Sequence, residues 1–416
     1  MSVEKRAYMN IVKRLGMGLL GLCMTASVAA AEDVWLTEWV GDGAQNASPA
    51  IQAALNTMPR GGVLHLIAGA YRLNTLLAIP PGVRLEGVGP NGTQLLVNAP
   101  TGVSLIGVGA GIRNVRMQSA VPGSTAISFV NATSNIYVDS ITFESGFEIG
   151  LNIAPNQSHT GIFILSNLRW DVVERSPYPI RIGDGVHHIS DITIRQVSGT
   201  ALATTDVQTW VTIEDQTDTI VLDNLTLIRG GTGVLIGPYR PLTSPAVTGV
   251  TFVNSPAIES MSGYGVVVQS ANNVRLSGLS LAQNAGGIGF GAGVRGAVLT
   301  GSTMHTNRGD GVTLWPGATD VIVANNLIAD NNSGGSPYGF GISVGVGVTG
   351  FTFANNRIGN NMLWGGGYQR YCIFVAPGGS NRYSITGNSC SGHTAVNGDL
   401  VYDGGTGTRK VVTGNY

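Results

Sequence analysis

The sequence predicts an all-β chain wound as a single parallel β-helix, a solenoid headed by one N-terminal amphipathic capping helix. Three observations carry this. Glycine is 61 of 416 residues, charged residues are only 11% and hydrophobic ones 43%, a composition of tight turns around a large apolar core. A short strand phrase, usually followed by a second, recurs along the chain. Within each phrase apolar residues alternate, as in strands with one buried face.

Taken in order, residues 1–31 read as a secretory signal peptide. Lys13 and Arg14 precede the apolar run Leu15–Leu22, and Ala29-Ala30-Ala31 offers a small-residue cleavage site before Glu32. A start at Met9 gives a more ordinary length. Leu22 stands where a lipoprotein needs a small residue before Cys23, and the run is short for a membrane anchor. The expectation is a secreted or periplasmic protein with no membrane insertion after cleavage. Cleavage removes four bases and one acid, moving the net charge from −1 to −4 and leaving Lys410 as the only lysine. Such a chain offers no basic patch to nucleic acid or anionic lipid.

Residues 32–60 read as an N-terminal cap and 61–416 as the β-helix. In the cap, Ser48 is placed to N-cap a helix with Pro49 at its first position. Ile51, Leu55 and Met58 form one apolar stripe, and Pro59, Gly61 and Gly62 end it before the strand Val63–Ile67. The end of a coil exposes unpaired backbone and an open core, which invites aggregation. A helix with one apolar stripe is suited to cover it.

The repeated phrase reads GVLI at 233–236, GVVV at 265–268, GIGF at 287–290, GVTL at 311–314, GISV at 341–344 and CIFV at 372–375. Their starts lie 32, 22, 24, 30 and 31 residues apart. Upstream the phrase continues as PIRI and WVTI. Ile180, Val211, Val234, Val266, Ile288, Val312, Ile342 and Ile373 should stack as one inward column, in a coil rising about 4.8 Å per turn. Recurrent Asn325, Asn355 and Asn388 at strand ends predict a ladder of amides in one turn. Propeller blades need about 40 residues, and a sandwich would not keep this register. Cys372 and Cys390 are candidates for a disulfide in an oxidising compartment, against the alternative of two single buried thiols.

Residues 41–97 resemble the N-terminal part of the pectate-lyase-like superfamily of right-handed parallel β-helix proteins, which includes pectate lyases, polygalacturonases and phage tailspikes. The resemblance rests on GDG, AIQAAL, GGVLHLIAGAYRL and IPPGVRLEGVGPNGTQLL. Such regions usually carry Asp-Asp-Thr where this chain has Ala47-Ser48-Pro49. The later repeats are similar to the generic coils of the same superfamily. The resemblance implies a right-handed coil and a carbohydrate partner, and it assigns no subfamily. The chain has no polygalacturonase-like Asn-Thr-Asp, paired Asp-Asp, Gly-His-Gly or Arg-Ile-Lys, and no Asp-Pro-His of the alginate epimerase kind. Neither a dense Asp cluster for calcium nor a Cys/His spacing for zinc is present.

Chemistry concentrates in PIRIGDGVHHISD, WVTIEDQTD and GVLIGPYRP. Asp184 and Asp215 occupy the same turn position on adjacent coils, with Arg181, Glu214 and His187 beside them. These five are the catalytic candidates; the competing reading is that both aspartates cap turns. As carboxylate neighbours, one would keep its proton at a raised pKa. A retaining glycosidase sets its carboxyls about 5–5.5 Å apart and an inverting one roughly 6.5–9.5 Å. The pair points to retention, or to inversion if Glu214 replaces one member. In a lyase the carboxylates would hold a cation such as Ca2+ against a uronate, with Arg181 or Arg240 as base or clamp; otherwise no cofactor is expected. His187 and His188 are adjacent and point apart, so at most one serves the site. His65 reads as structural.

Aromatic residues recur just before the repeated strand at Tyr178, Tyr264, Phe340 and Tyr371, and Trp315 follows it. With Tyr239, Arg240 and the longer loop bearing Trp364, Tyr368 and Arg370, Tyr264 and Trp315 are the candidate substrate-binding residues, since sugar C–H faces suit aromatic rings. The competing reading is that the rings stack to seal the core. The sequence therefore predicts an exported carbohydrate-active protein, a polysaccharide lyase or glycoside hydrolase working along the groove. The alternative is a non-catalytic carbohydrate-binding, adhesive or structural β-helix of tailspike-body type. With the final strand phrase KVVTG close to Tyr416, a monomer or a small oligomer covering that end is expected.

Overall fold

In the computed structural model, which describes residues 32–37, 41–131, 134–156, 158–173, 175–237, 247–335, 339–359, 369–393 and 400–416, the strands pair in parallel. Ile180 pairs with Val211, Val211 with Val234, and so on through Val266, Ile288, Val312, Ile342 and Ile373. All eight are buried, so the expected inward column is present rung for rung. They belong to a 13-stranded sheet, while a 25-stranded sheet supplies the other two columns of the coil.

Those two columns meet at a bend. In the earlier coils the strands Gly111–Ser119, Ile136–Phe143, His159–Val173, Ile189–Ala201 and Thr217–Gly230 run through it. Each turns on one left-handed residue: Asn114, Ser140, Asn167, Gln196 or Asn224. In later coils the same corner divides two three-residue strands, as at Ile322–Ala324 and Leu327–Ala329, with left-handed Asn325 between them. Asn is among the residues that adopt this conformation most readily.

That corner corrects the expected amide ladder by one residue. Asn325 and Asn355 take the left-handed position and lie exposed. The buried ladder is Asn326, Asn356, Asn388 and Asn415, joined Nδ2 to Oδ1 at 3.0, 2.9 and 2.9 Å. Their Oδ1 atoms also accept backbone N–H groups one coil back. A second ladder runs through Asn284, Asn307 and Asn331.

The glycine that opens five of the six later phrases, with Cys372 opening the sixth, has a steric cause. It sits where the chain swings from the bent sheet into the 13-stranded one. An added Cβ at Gly233, Gly311 or Gly341 would lie 2.4, 2.4 or 2.3 Å from a side-chain carbon of Ile258, Ile328 or Ile358. One coil reverses the arrangement. Trp210 takes the glycine position, and Gly199 on the facing column makes room, since a Cβ there would lie 2.3 Å from the indole. Trp210 Nε1 then donates to the Arg229 carbonyl at 2.6 Å.

At the N-terminal end the helix Ser48–Thr57 buries Ile51 and Leu55, each contributing about 2 kcal/mol. It packs against the first strand of the 13-stranded sheet, Leu77–Ile79. Gln52 completes the lid: its amide donates to the Ala78 carbonyl at 2.9 Å and accepts the Ala78 N–H at 2.8 Å. The side chain thus satisfies an edge that would otherwise lie unpaired. Ser48 is not the cap residue, because Ala47 holds that position. The Ser48 hydroxyl instead donates to the Thr75 carbonyl and accepts the Thr75 N–H, while Asn46 Oδ1 accepts the Ser48 N–H. The coil itself begins ahead of residue 61, for Asp33–Leu36 already pairs with Val63–Leu66 and Asp42–Asn46 with Gly69–Leu73.

Cys372 and Cys390 are disulfide-bonded, tying the two sheets together near the C-terminal end. Toward the same end of the chain Lys410 pairs with Asp403 at 2.8 Å, and the Tyr383 hydroxyl donates to the same carboxylate. Among the described residues no helix is long and apolar enough to cross a membrane. Residues 1–31, read from the sequence as a signal peptide, lie outside the described ones.

Candidate functional site

The outer column of the 13-stranded sheet runs Ser104, Ser128, Asn152, Arg181, Thr212, Leu235, Val267, Gly289, Thr313, Ser343 and Phe374 in register. Its first five positions are polar, and polar residues return at Thr313 and Ser343. Arg181 leans toward Glu214, Nε to Oε1 at 3.5 Å, both partly exposed. On either side of Arg181, Asn152 Oδ1 and Thr212 Oγ1 are buried without a hydrogen-bond partner, as is Asp215 Oδ1 two residues beyond the strand Thr209–Ile213.

The loops bearing Asp184 and Asp215 stack, with an added Cβ at Gly185 lying 3.9 Å from the Asp215 Cβ. Their carboxylates nonetheless do different work. Asp184 Oδ1 accepts the N–H groups of Val186 and His187, both at 2.8 Å, and Oδ2 meets His187 Nδ1 at 2.5 Å. Burial pushes its carboxyl up, but those His187 and Val186 bonds outweigh it and hold the group below the usual carboxylate range. Asp215 is pushed up by burial alone. Neither shift arises from the other carboxylate, so the mutual repulsion expected from stacking is not what sets them apart. His188 turns the other way, Nε2 to Asp218 Oδ2 at 2.7 Å.

Later in the column the aromatic candidates separate. Trp315 lies over Gly289, where a Cβ would fall 2.2 Å from the ring, and Tyr264 lies over Gly286. The two rings meet edge to face with centroids 5.2 Å apart. Phe340, Phe374 and Tyr402 stack face to face at 4.5 and 5.0 Å, spending their faces on one another. Arg370 sets its guanidinium 5.4 Å from the centroid of the Tyr371 ring. Tyr239, Arg240, Trp364 and Tyr368 lie outside the described residues.

Sequence reasoning missed Asp310. Its carboxylate accepts the Phe340 N–H at 2.8 Å and the Ser343 and Thr313 hydroxyls, and the Tyr264 hydroxyl lies 3.4 Å from Thr313 Oγ1. Burial pushes the Asp310 carboxyl up, against those three bonds. The available signal was an acid directly before the repeated glycine, which occurs in one phrase alone. Among the described residues the one close group of three metal-ligating side chains is Cys372, Cys390 and His393, whose sulfurs are taken by the disulfide. Asp184, Asp215 and Glu214 do not form such a group.

The fold and this outer face define a class, the right-handed parallel β-helix. Residues 243–415 match the family model described as right handed beta helix region. The chain is similar to the A-module of the mannuronan C-5 epimerase AlgE6 of Azotobacter vinelandii, with 16% identity and a TM-score of 0.62 over 92% of this chain and 98% of that one. It is also similar to pre-mature gene product 12 of bacteriophage phi29, with 14% identity and a TM-score of 0.65 over 90% of this chain and 54% of the other. Tailspike protein 3 of bacteriophage CBA120 aligns with 15% identity and a TM-score of 0.52 over 92% and 61%. No curated protein matches the sequence. The chain therefore has the right-handed β-helix fold that its resemblance to the pectate-lyase-like superfamily implied, with no subfamily assigned.

Proposed function

We propose that this is an exported protein that binds a polysaccharide along the outer face of the 13-stranded sheet and cleaves it there. One observation carries the reading: Asn152 Oδ1, Thr212 Oγ1 and Asp215 Oδ1 are buried and unpartnered around Arg181 on consecutive coils. Buried polar atoms without partners are costly, and sugar hydroxyls both donate and accept. The structural likeness to a mannuronan epimerase and a phage tailspike is consistent with such a partner.

Within this reading Asp215 is the proton donor, because burial raises its pKa toward the working range of a general acid. Glu214, 3.5 Å from Arg181 Nε, is the second carboxylate, acting on water or on the anomeric carbon. Asp184 and His187 hold the loop rather than react. The Tyr264–Trp315 pair offers an apolar platform farther along the axis.

A second reading, binding without turnover, is favoured by Asp184 being spent on its own turn and by the self-stacked aromatic column. Incubation with neutral and acidic polysaccharides separates them. Hydrolysis gives new reducing ends, and Asp215→Asn lowers the rate at least 100-fold with no loss of thermal stability. Ultraviolet absorbance from unsaturated uronate instead means a lyase, and retention with neither signal means a binder.

A further inference from the structure

A cleft of about 450 Å³ opens at the opposite end of the strand Tyr178–Ile182 from Asp184. Ser119 and Ala120, Pro122 and Gly123, Ser145 and Gly146, Glu148, Arg175 and Pro177 line it. These come from three successive coils, so the cleft runs along the axis for two coil spacings, about 10 Å.

The cleft is built rather than left over. Gly146 is left-handed, and a Cβ there would lie 2.2 Å from the Ser119 carbonyl oxygen. Gly123 is left-handed too, and a Cβ on it would lie 3.3 Å from Glu148 Oε2, so the carboxylate rests directly against bare backbone. Arg175 is held at φ 56°. Glu148 and Arg175 are exposed and take part in none of the ion pairs among the described residues. One is an acceptor only, the other a donor only. Ala120, Pro122 and Pro177 add apolar surface between them.

We propose that this cleft is a binding site for a short neutral saccharide, about a disaccharide long. A neutral sugar uses every part of the lining at once: its hydroxyls donate to Glu148 and accept from Arg175, and its C–H faces lie on the prolines. A uronate would gain from Arg175 and lose against Glu148. The volume is within the usual range of small-ligand sites, about 300–1,000 Å³. The proposal rests on the reading of the protein as a polysaccharide binder but uses none of the residues assigned to cleavage.

Calorimetric titration of the mature chain with cellobiose, maltose, laminaribiose, lactose and digalacturonate tests it. At least one neutral disaccharide should bind more tightly than digalacturonate, and Arg175→Ala and Glu148→Gln should each weaken it at least tenfold. Both side chains are exposed, so the melting temperature should not move. Asp215→Asn should leave this affinity unchanged, which separates the cleft from the cleavage site. Absence of neutral binding, tighter binding of digalacturonate, or unchanged affinity in both cleft variants overturns the proposal, even if polysaccharide turnover is found.

Discussion

Residues 243–415, the stretch matched by the family model, and residues 111–230 make the same coil by different means. In the later stretch short strands meet at asparagine or glycine corners, amide ladders fill the turns, and a glycine opens every phrase but the one at Cys372. In the earlier stretch strands of up to 15 residues run through the bend, Trp210 and Gly199 exchange places, and the outer column carries Asn152, Arg181 and Thr212. The coil needs only parallel register and a small inward set, so either chemistry satisfies it. In the later stretch Asn326, Asn356 and Asn388 are spent on holding turns. Around Arg181 in the earlier one, Asn152 Oδ1, Thr212 Oγ1 and Asp215 Oδ1 are buried without a partner.

The largest expected effect tests whether the ends or the repeats limit stability. Leu55→Asp places a carboxylate in the buried stripe of the helix and should cost about 4 kcal/mol, with aggregation visible in light scattering. If the variant stays monodisperse and melts like wild type, the helix is not a lid. Next is the regular half. Asn356→Ala removes the amide linking Asn326 to Asn388 and strands buried groups on both sides, costing about 3 kcal/mol. Asn355→Ala, at the exposed corner, should cost about 1 kcal/mol through its left-handed backbone. Equal losses in chemical denaturation would remove the distinction between corner and ladder.

The smallest effect sharpens the irregular half. The folded pKa of Asp184 is lowered, so its stabilisation is present above the unfolded value near 3.9 and is lost as pH falls through the folded value. Asp184→Asn should therefore lower stability at pH 7 and by much less at pH 3. The folded pKa of Asp215 is raised, so its ionised form opposes folding above the unfolded value. Asp215→Asn should be neutral or stabilising at pH 7. Melting curves at both pH values check the opposite signs; the same sign in both would show that the two stacked loops are equivalent.

The inward column was legible because alternation and spacing repeat in every phrase, and stacking requires like residues to meet. The lid was legible from its stripe, but Gln52 was not, since pairing to an edge carbonyl leaves no periodic mark. Of two adjacent asparagines, sequence does not say which turns inward; the left-handed corner decides, placing Asn355 outside and Asn356 inside. Asp184 and Asp215 look alike in sequence because a turn cap and a free acid are the same residue. The three residues after Asp184 make the difference, since Gly185-Val186-His187 curls two N–H groups back onto its carboxylate. Glu148 lies at the start of the strand Phe147–Ile153 and Arg175 in the turn before Tyr178–Ile182, where nothing periodic pointed.

The rung-for-rung register of Ile288 with Val312 and of Phe290 with Leu314 makes the length of this molecule adjustable in whole turns. Excising the residues between two matching glycines joins like to like, leaving every remaining inward residue above and below a neighbour of the same kind. Duplication and deletion along such a chain change how long an outer face the coil presents without redesigning its core. A fixed site can then be carried by a scaffold whose reach evolves separately from it.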